Sequence, residues 1–157
     1  MRHGAPVHAT ALVLADRGVL IRGESGSGKT ALALELFARA RTAGLFAALV
    51  CDDQVPLSVL GDRLVGFAAT PLAGLVEVRG LTPRPMPWVS AAVIDLVVTL
   101  VDRTAAPRFR EPETDTLRGC SIDALVLPMR ERSTNADTVF FRLGLWPFGP
   151  FPGVNRD

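Results

Sequence analysis

Lys29 is the single lysine among the chain's 17 basic residues; every other one is an arginine. It stands in Gly23-Glu24-Ser25-Gly26-Ser27-Gly28-Lys29-Thr30, which satisfies the pattern G-x-x-x-x-G-K-[ST] at every position. A compact ammonium on a flexible stem enters a cradle of phosphate oxygens where a planar guanidinium fits poorly. The glycines let backbone N–H groups face an anion, and a hydroxyl at Thr30 is the group expected on Mg²⁺ in such loops. The pattern points to a nucleoside-triphosphate site. A chance match in a Gly- and Ser-rich surface turn is the plainer alternative, and the flanking residues argue against it.

Other residues suited to phosphoryl transfer are scattered along the chain. Asp52 and Asp53 follow the apolar run from Phe46 to Cys51, so both sit at the carboxyl end of a buried strand. Neighbours in a strand point to opposite faces, so one carboxylate can serve a metal through water while the other accepts a proton. Turn formation is the simpler role for an Asp pair. His8 lies in a short apolar strand, where a lone histidine is more often a rim or core residue. In Glu77-Val78-Arg79-Gly80 the charges are two apart and share one face if the chain is extended. Arg118, Arg130 and Arg132 are further cations that can stabilise transferring phosphate, although solvated surface positions are their default.

The elements that must hold these residues are legible as patterns. Val7 to Leu14 and Gly18 to Arg22 read as two strands joined by a tight turn, feeding the glycine-rich loop. Lys29 to Ala43 reads as a helix: Leu32, Leu36 and Ala40 share a face, Glu35 and Arg39 form an i,i+4 pair, and Gly44 ends it. Gln54 to Leu60 and Leu64 to Ala69 suggest a hairpin turned at Gly61-Asp62. Leu72 to Val78 fits helix or strand. Thr82 to Pro87, with three prolines, must be loop or extended chain. Val93 to Val101 and Ser121 to Leu127 read as strands, and Ala105 to Thr116 as an exposed loop. Ser133 to Leu143 reads as a closing helix with Ser133 or Thr134 as its cap. The tail from Trp146 to Gly153 interleaves aromatics with prolines and suggests irregular structure packed on the domain or on another subunit. The order implies an α/β fold, strand-rich with few helices, unlike an evenly alternating doubly wound sheet.

Composition sets the outer bounds. A chain of 157 residues with 48% hydrophobic and 21% charged residues suits one compact domain spanning 1–157. A net charge of +1 with scattered arginines does not favour nucleic acid as a partner. Cys51 and Cys120 have no metal-ligand spacing and read as reduced, buried thiols. The N-terminus lacks a signal-peptide layout, and the longest apolar stretch, Trp88 to Val101, is too short to span a bilayer. A cytoplasmic protein with no membrane partner is expected.

Taken together, these segments resemble the HPr kinase/phosphorylase family, the bacterial protein-serine kinases of the phosphotransferase systems. Val7-His8 resembles the family's Val-His-Gly strand, at the same separation from the loop. Ser25 and Gly26 match its G-x-S-G-x-G-K-S loop beyond what a general phosphate loop requires. Leu49-Val50-Cys51-Asp52-Asp53 resembles L-V-A-D-D, and Val76-Glu77-Val78-Arg79-Gly80-Leu81 resembles L-E-I-R-G-L. Leu117-Arg118-Gly119 is a weaker echo of D-R-L-G, and Leu127-Pro128-Met129-Arg130 echoes L-P-V-R.

The resemblance implies a single P-loop domain akin to phosphoenolpyruvate carboxykinase, assembled as a hexamer. It implies ATP and Mg²⁺ as cofactors and an HPr-like phosphocarrier as partner. Residues Gly23 to Thr30 would hold the nucleotide, Lys29 its β/γ-phosphates, and Thr30 and Glu77 the metal. Asp52 or Asp53 would activate the acceptor serine, His8 would support that carboxylate, and Arg118 would contact transferred phosphate. The Thr82 to Pro87 loop and Phe148/Phe151 are expected docking or assembly surfaces. Glu77, Arg79, Gly80, Arg130 and Arg132 fall in regions tied to substrate handling and phosphorolysis. The chain departs from the pattern at Arg41 to Leu45, at Thr82-Pro83-Arg84-Pro85 and after Arg130, and it begins at the catalytic domain of the longer members. Kinase activity is therefore the expectation, with dephosphorylation by phosphorolysis a secondary one. A nucleotide-sensing module without catalysis and a small-metabolite kinase are the alternatives.

Overall fold

The computed structural model describes residues 3–108, 113–145 and 147. Its chain order is β1 (Val7–Leu14), β2 (Arg17–Gly23), α1 (Lys29–Thr42), β3 (Ala47–Cys51), β4 (Gln54–Val55), β5 (Leu57–Leu60), β6 (Arg63–Phe67), β7 (Leu75–Val76), β8 (Arg84–Pro85), β9 (Ala91–Val101), β10 (Glu113–Leu117), β11 (Cys120–Pro128) and α2 (Arg132–Leu143). The main sheet runs β10-β11-β9-β2-β1-β3, with β4 paired to β1 and the β5–β6 hairpin paired to β9. The β2–β9 and β9–β11 pairs are parallel, and the pairs flanking them are antiparallel. Gly23 pairs with Leu100, and the Met129 N–H donates to the Val101 carbonyl. The carboxyl ends of β2, β9 and β11 therefore meet along one rim, where the glycine-rich loop sits.

Strand alternation divides the core into two layers. Val19 and Ile21 of β2 join Leu96, Val98 and Leu100 of β9 beneath both helices, against Leu32 and Leu36 of α1 and Val139 and Phe140 of α2. Leu20 and Val97 point the other way, into a cluster closed by Val55, Leu57 and Leu64 of the β4–β6 layer. Helix α1 ends as its sequence implies. Gly44, at φ 76°, donates to Arg41, and the Leu45 N–H reaches back to Ala40, which satisfies two terminal carbonyls. Arg39 bonds Glu35 on its own helix and reaches Asp137 and Ser133 on α2, so the helices are tied by charge as well as packing.

Several elements depart from the sequence reading. Residues 113–116, expected in a loop, form most of β10, because Glu113-Thr114-Asp115-Thr116-Leu117 alternates half-buried with exposed positions along β11. The Arg22 guanidinium bonds Asp115 and anchors that strand from beneath. Helix α2 begins at Arg132 with Glu131 at its N-cap and without a side-chain cap, so neither Ser133 nor Thr134 caps it. The Ser133 hydroxyl instead accepts from Arg39. The ambiguous 72–78 segment contributes only the two-residue β7, paired with β8 inside the proline-rich stretch. Of the aromatic–proline tail, only Pro147 falls within the described residues. No helix among the described residues is long and apolar enough to cross a membrane.

Leu36 is fully buried between α1 and the sheet. Leu36→Ala is expected to cost about 2–5 kcal/mol, read as a lower urea midpoint with an unchanged slope.

Candidate functional site

The rim where β2 passes into α1 carries the loop from Gly23 to Thr30. Gly28 sits at the helix N-cap with φ 95°, a conformation that strains any residue with a Cβ. Among the described residues no side chain caps the helix, and no acidic residue occupies its first turn, which leaves an N-terminus suited to an anion. Lys29 is 7% exposed. Its Nζ donates to the carbonyls of Gly23 and Glu24, both at 3.0 Å, so the ammonium lies folded back along the loop. Burial lowers its pKa below the ordinary lysine value, and the nearby charges of Asp53 and Asp52 act in the opposite sense. Ser27 is buried, and its hydroxyl has no hydrogen-bond partner among the described residues.

The two aspartates arrive by way of a bulge. Along β1 and β3 the register runs Leu14↔Ala47, Val13↔Ala48 and Leu12↔Leu49, then shifts so that Ala11 pairs with Cys51. Val50 and Cys51 consequently both pack in the layer away from the helices. The next side chain, Asp52, comes round to the face shared by Thr10, Leu12 and Leu14, under the start of α1. There Asp52 Oδ1 accepts from Thr10 Oγ1 at 2.8 Å, Thr30 Oγ1 at 3.0 Å and the Asp53 N–H at 3.1 Å. Its Oδ2 accepts from the Glu77 N–H at 3.1 Å. Asp53 has a different setting. A hydrogen bond from the Gln54 N–H to the Asp52 carbonyl turns the chain around it, with φ 70°. Its side chain is half exposed, and its Oδ1 lies 3.7 Å from His8 Nε2.

These groups line one cleft of about 410 Å³, together with Glu77, Arg79 and Arg132. The structure thus brings His8, Lys29, Thr30, Asp52, Asp53 and Glu77 to one place. It separates the remaining arginines. Arg132, at the start of α2, faces the cleft. Arg130, at φ 64°, presents its backbone to the loop: a Cβ on Gly28 would lie 3.8 Å from the Arg130 nitrogen. Its charge acts on Asp102, whose carboxyl is held below the usual range mainly by N–H and O–H bonds from Thr104. Arg118 occupies the β10–β11 turn, where its guanidinium donates to the Ala5 carbonyl, and it is not among the residues lining the cleft. Gly80, at φ 83°, follows Arg79 in an exposed turn.

The donors around Thr30 are hard oxygens, the type Mg²⁺ prefers. Among the described residues no group of three acidic, histidine or cysteine side chains is placed to hold a metal alone. A hydroxyl and a carboxylate side by side instead suit a cation shared with substrate phosphates, so the residues present fit Mg²⁺. Sequence reasoning missed Thr10 and the cleft-facing Ala31 and Leu34. The available signal for Thr10 was a hydroxyl within the otherwise apolar run Ala9, Ala11, Leu12.

Cys51 precedes the pair and is buried. Burial, and then the neighbouring aspartate charges, push its thiol above the ordinary value. Cys51 is therefore expected to resist iodoacetamide at neutral pH in the folded protein and to react once unfolded, as read by peptide mass.

Known proteins provide a comparison for this arrangement. The family described as HPr Serine kinase C-terminal domain matches residues 1–82. A protein of Bordetella pertussis named HPr kinase/phosphorylase is 36% identical over 133 residues, covering 80% of this chain and 40% of its own length. A Clostridium tetani protein of the same name is 42% identical over 64 residues, 41% of this chain and 19% of its own. The chain thus spans about two fifths or less of these curated relatives. In fold it is similar to the HPr(Ser) kinase/phosphatase structure from Coxiella burnetii, with a TM-score of 0.75 at 24% identity, over 89% of this chain and 91% of that one.

Proposed function

Because the chain belongs to the HPr Serine kinase C-terminal domain family, we propose that it transfers the γ-phosphoryl group of ATP to a serine hydroxyl of an HPr-like phosphocarrier. The observation that carries this reading is the division of labour between two adjacent carboxylates. Asp52 is occupied by hydrogen-bond donors and tied to Thr30, whereas Asp53 turns outward beside His8. A group whose acceptor capacity is already used is a poor proton acceptor, so Asp53 takes that role.

In this reading the triphosphate lies along the loop and the start of α1. Lys29 leaves the Gly23 and Glu24 carbonyls for the β/γ-phosphates. Thr30, its hydroxyl oriented by Asp52, and Glu77 on the cleft wall would hold Mg²⁺, which would neutralise phosphate charge when bound. The acceptor serine enters over Asp53. Its oxygen forms a bond to the γ-phosphorus, the bond to the ADP oxygen breaks, and the hydroxyl proton passes to the Asp53 carboxylate. His8 lies close enough to steady that carboxylate. Arg132 is the cation we assign to the charge of the transferring group. In reverse, inorganic phosphate attacks phosphoserine, pyrophosphate forms, and Asp53 returns its proton to the serine oxygen. The hexameric assembly and cytoplasmic location belong to the same reading and rest on the family alone.

Incubation with γ-labelled ATP, Mg²⁺ and the host's HPr is expected to yield labelled phosphoserine. Lys29→Ala and Asp53→Asn are each expected to lower that transfer by about 100-fold or more, with unfolding midpoints close to the unsubstituted protein. Undiminished transfer by both variants, or none by the unsubstituted protein, overturns the kinase reading.

The lowered Lys29 pKa gives a second test. Nucleotide favours the ammonium form, so affinity falls as pH rises through the free protein's Lys29 pKa, by up to about tenfold per unit. Calorimetric titration toward alkaline pH is expected to show this decline, and Lys29→Met to bind weakly with a flatter profile.

A further inference from the structure

We propose that Thr10 is a positioning residue of this cleft: its hydroxyl pins the Asp52 carboxylate, and so sets how the Thr30 hydroxyl faces the phosphates. The proposal rests on the kinase reading only for its consequence. The hydrogen bonds themselves link five groups of the ligand-free protein: the Thr10 and Thr30 hydroxyls, the Asp52 carboxylate, and the Asp53 and Glu77 amides.

Thr10 is fully buried, in a stretch of β1 where Ala9, Ala11 and Leu12 are buried too. Valine would match its shape and strand propensity, so the hydroxyl is explained by its partner rather than by packing. That partner is Asp52 Oδ1 at 2.8 Å, nearer than either of the other donors on the same oxygen. The contact exists because the bulge at Val50 and Cys51 places Asp52 opposite Thr10. Without that bulge the alternation would send Asp52 into the other layer.

The geometry has a consequence for Thr30. A hydroxyl has one proton and two lone pairs. Thr30 directs its proton to Asp52, so its lone pairs are left for an electrophile in the cleft. If Asp52 swings, Thr30 loses that orientation, and the Asp53 and Glu77 amides lose their acceptor. Thr10 stands on β1, beneath the helix, and does not itself need to touch substrate to exert this control.

Hydrogen exchange on the ligand-free protein tests the anchor directly. Thr10→Val is expected to speed exchange at the Asp53 and Glu77 amides about tenfold or more, while the Leu12 and Val13 amides stay near the unsubstituted rates. Thr10→Ser, which keeps the donor, is expected to restore protection at both. If Thr10→Val does not fold, Thr10→Ala makes the same comparison. Unchanged exchange at Asp53 and Glu77 overturns the proposal, as does an equal acceleration in Thr10→Ser. In parallel, Thr10→Val is expected to raise the Kd for Mg²⁺-ATP about tenfold while leaving metal-free ATP binding nearly unchanged; equal weakening of both also overturns it. Failure of the unsubstituted protein to bind nucleotide refutes the kinase reading instead, and leaves the exchange result to decide on Thr10.

Discussion

The hydrogen bond from the Thr30 hydroxyl to the Asp52 carboxylate ties the start of α1 to the end of β3. Thr30 belongs to the first turn of α1, and Asp52 follows the last residue of β3. The intervening chain passes through a whole helix and a turn before returning. Closing that loop costs conformational entropy, and the buried face of α1 against the sheet supplies the compensation. The glycine-rich loop is thereby held over the strand ends with Lys29 folded onto its carbonyls. The short distance between the two hydroxyls and one carboxylate oxygen is the endpoint of that packing. It is also what makes the cleft asymmetric, crowded with donors on one side and open on the other.

That asymmetry carries the chemical reading. A carboxylate accepts protons well when its lone pairs are free and its surroundings admit a substrate. Both aspartates line the cleft, but Asp52 is crowded with donors, whereas Asp53 is the more exposed of the two and faces His8. The positive φ of Asp53 is part of the same arrangement. Aspartate tolerates the left-handed region better than most residues with a Cβ, and a residue held there stores strain of about 1–3 kcal/mol. The surrounding ladder maintains it, since the Ala9 N–H bonds the Asp53 carbonyl and the Gln54 N–H bonds that of Asp52.

The arginines illustrate the opposite case, in which motif order is a poor guide to placement. Arg130 and Arg132 lie two apart, yet one directs charge toward Asp102 and the other toward the cleft. The helix start between them is responsible. Arg130 adopts a left-handed turn, and Arg132 is already the first helical residue. Arg118 reads as a candidate from Leu117-Arg118-Gly119, but those residues make a hairpin turn and its guanidinium is occupied by a carbonyl of the N-terminal segment. Cations on turns take their direction from backbone dihedrals that residue type alone does not specify.

Local pattern was enough for the elements around the loop. The strand–loop–helix unit, the Gly44 terminus and the Glu35–Arg39 pair all follow from nearest-neighbour rules of spacing, and the structure contains them. Residue types alone point to Lys29, Thr30 and the aspartate pair, whereas His8 and Glu77 stand out only through the resemblance to the HPr kinase/phosphorylase family. The polar strand β10 was hidden because its pairing with β11, not its hydrophobicity, makes it a strand. Which aspartate faces which partner was likewise beyond the linear chain. It depends on a single register shift between β1 and β3, and on the strand pairing that puts Thr10 opposite the shifted residue. Residue chemistry is a property of the linear chain. The direction in which that chemistry points is a property of hydrogen-bond register, which exists only once distant strands have paired.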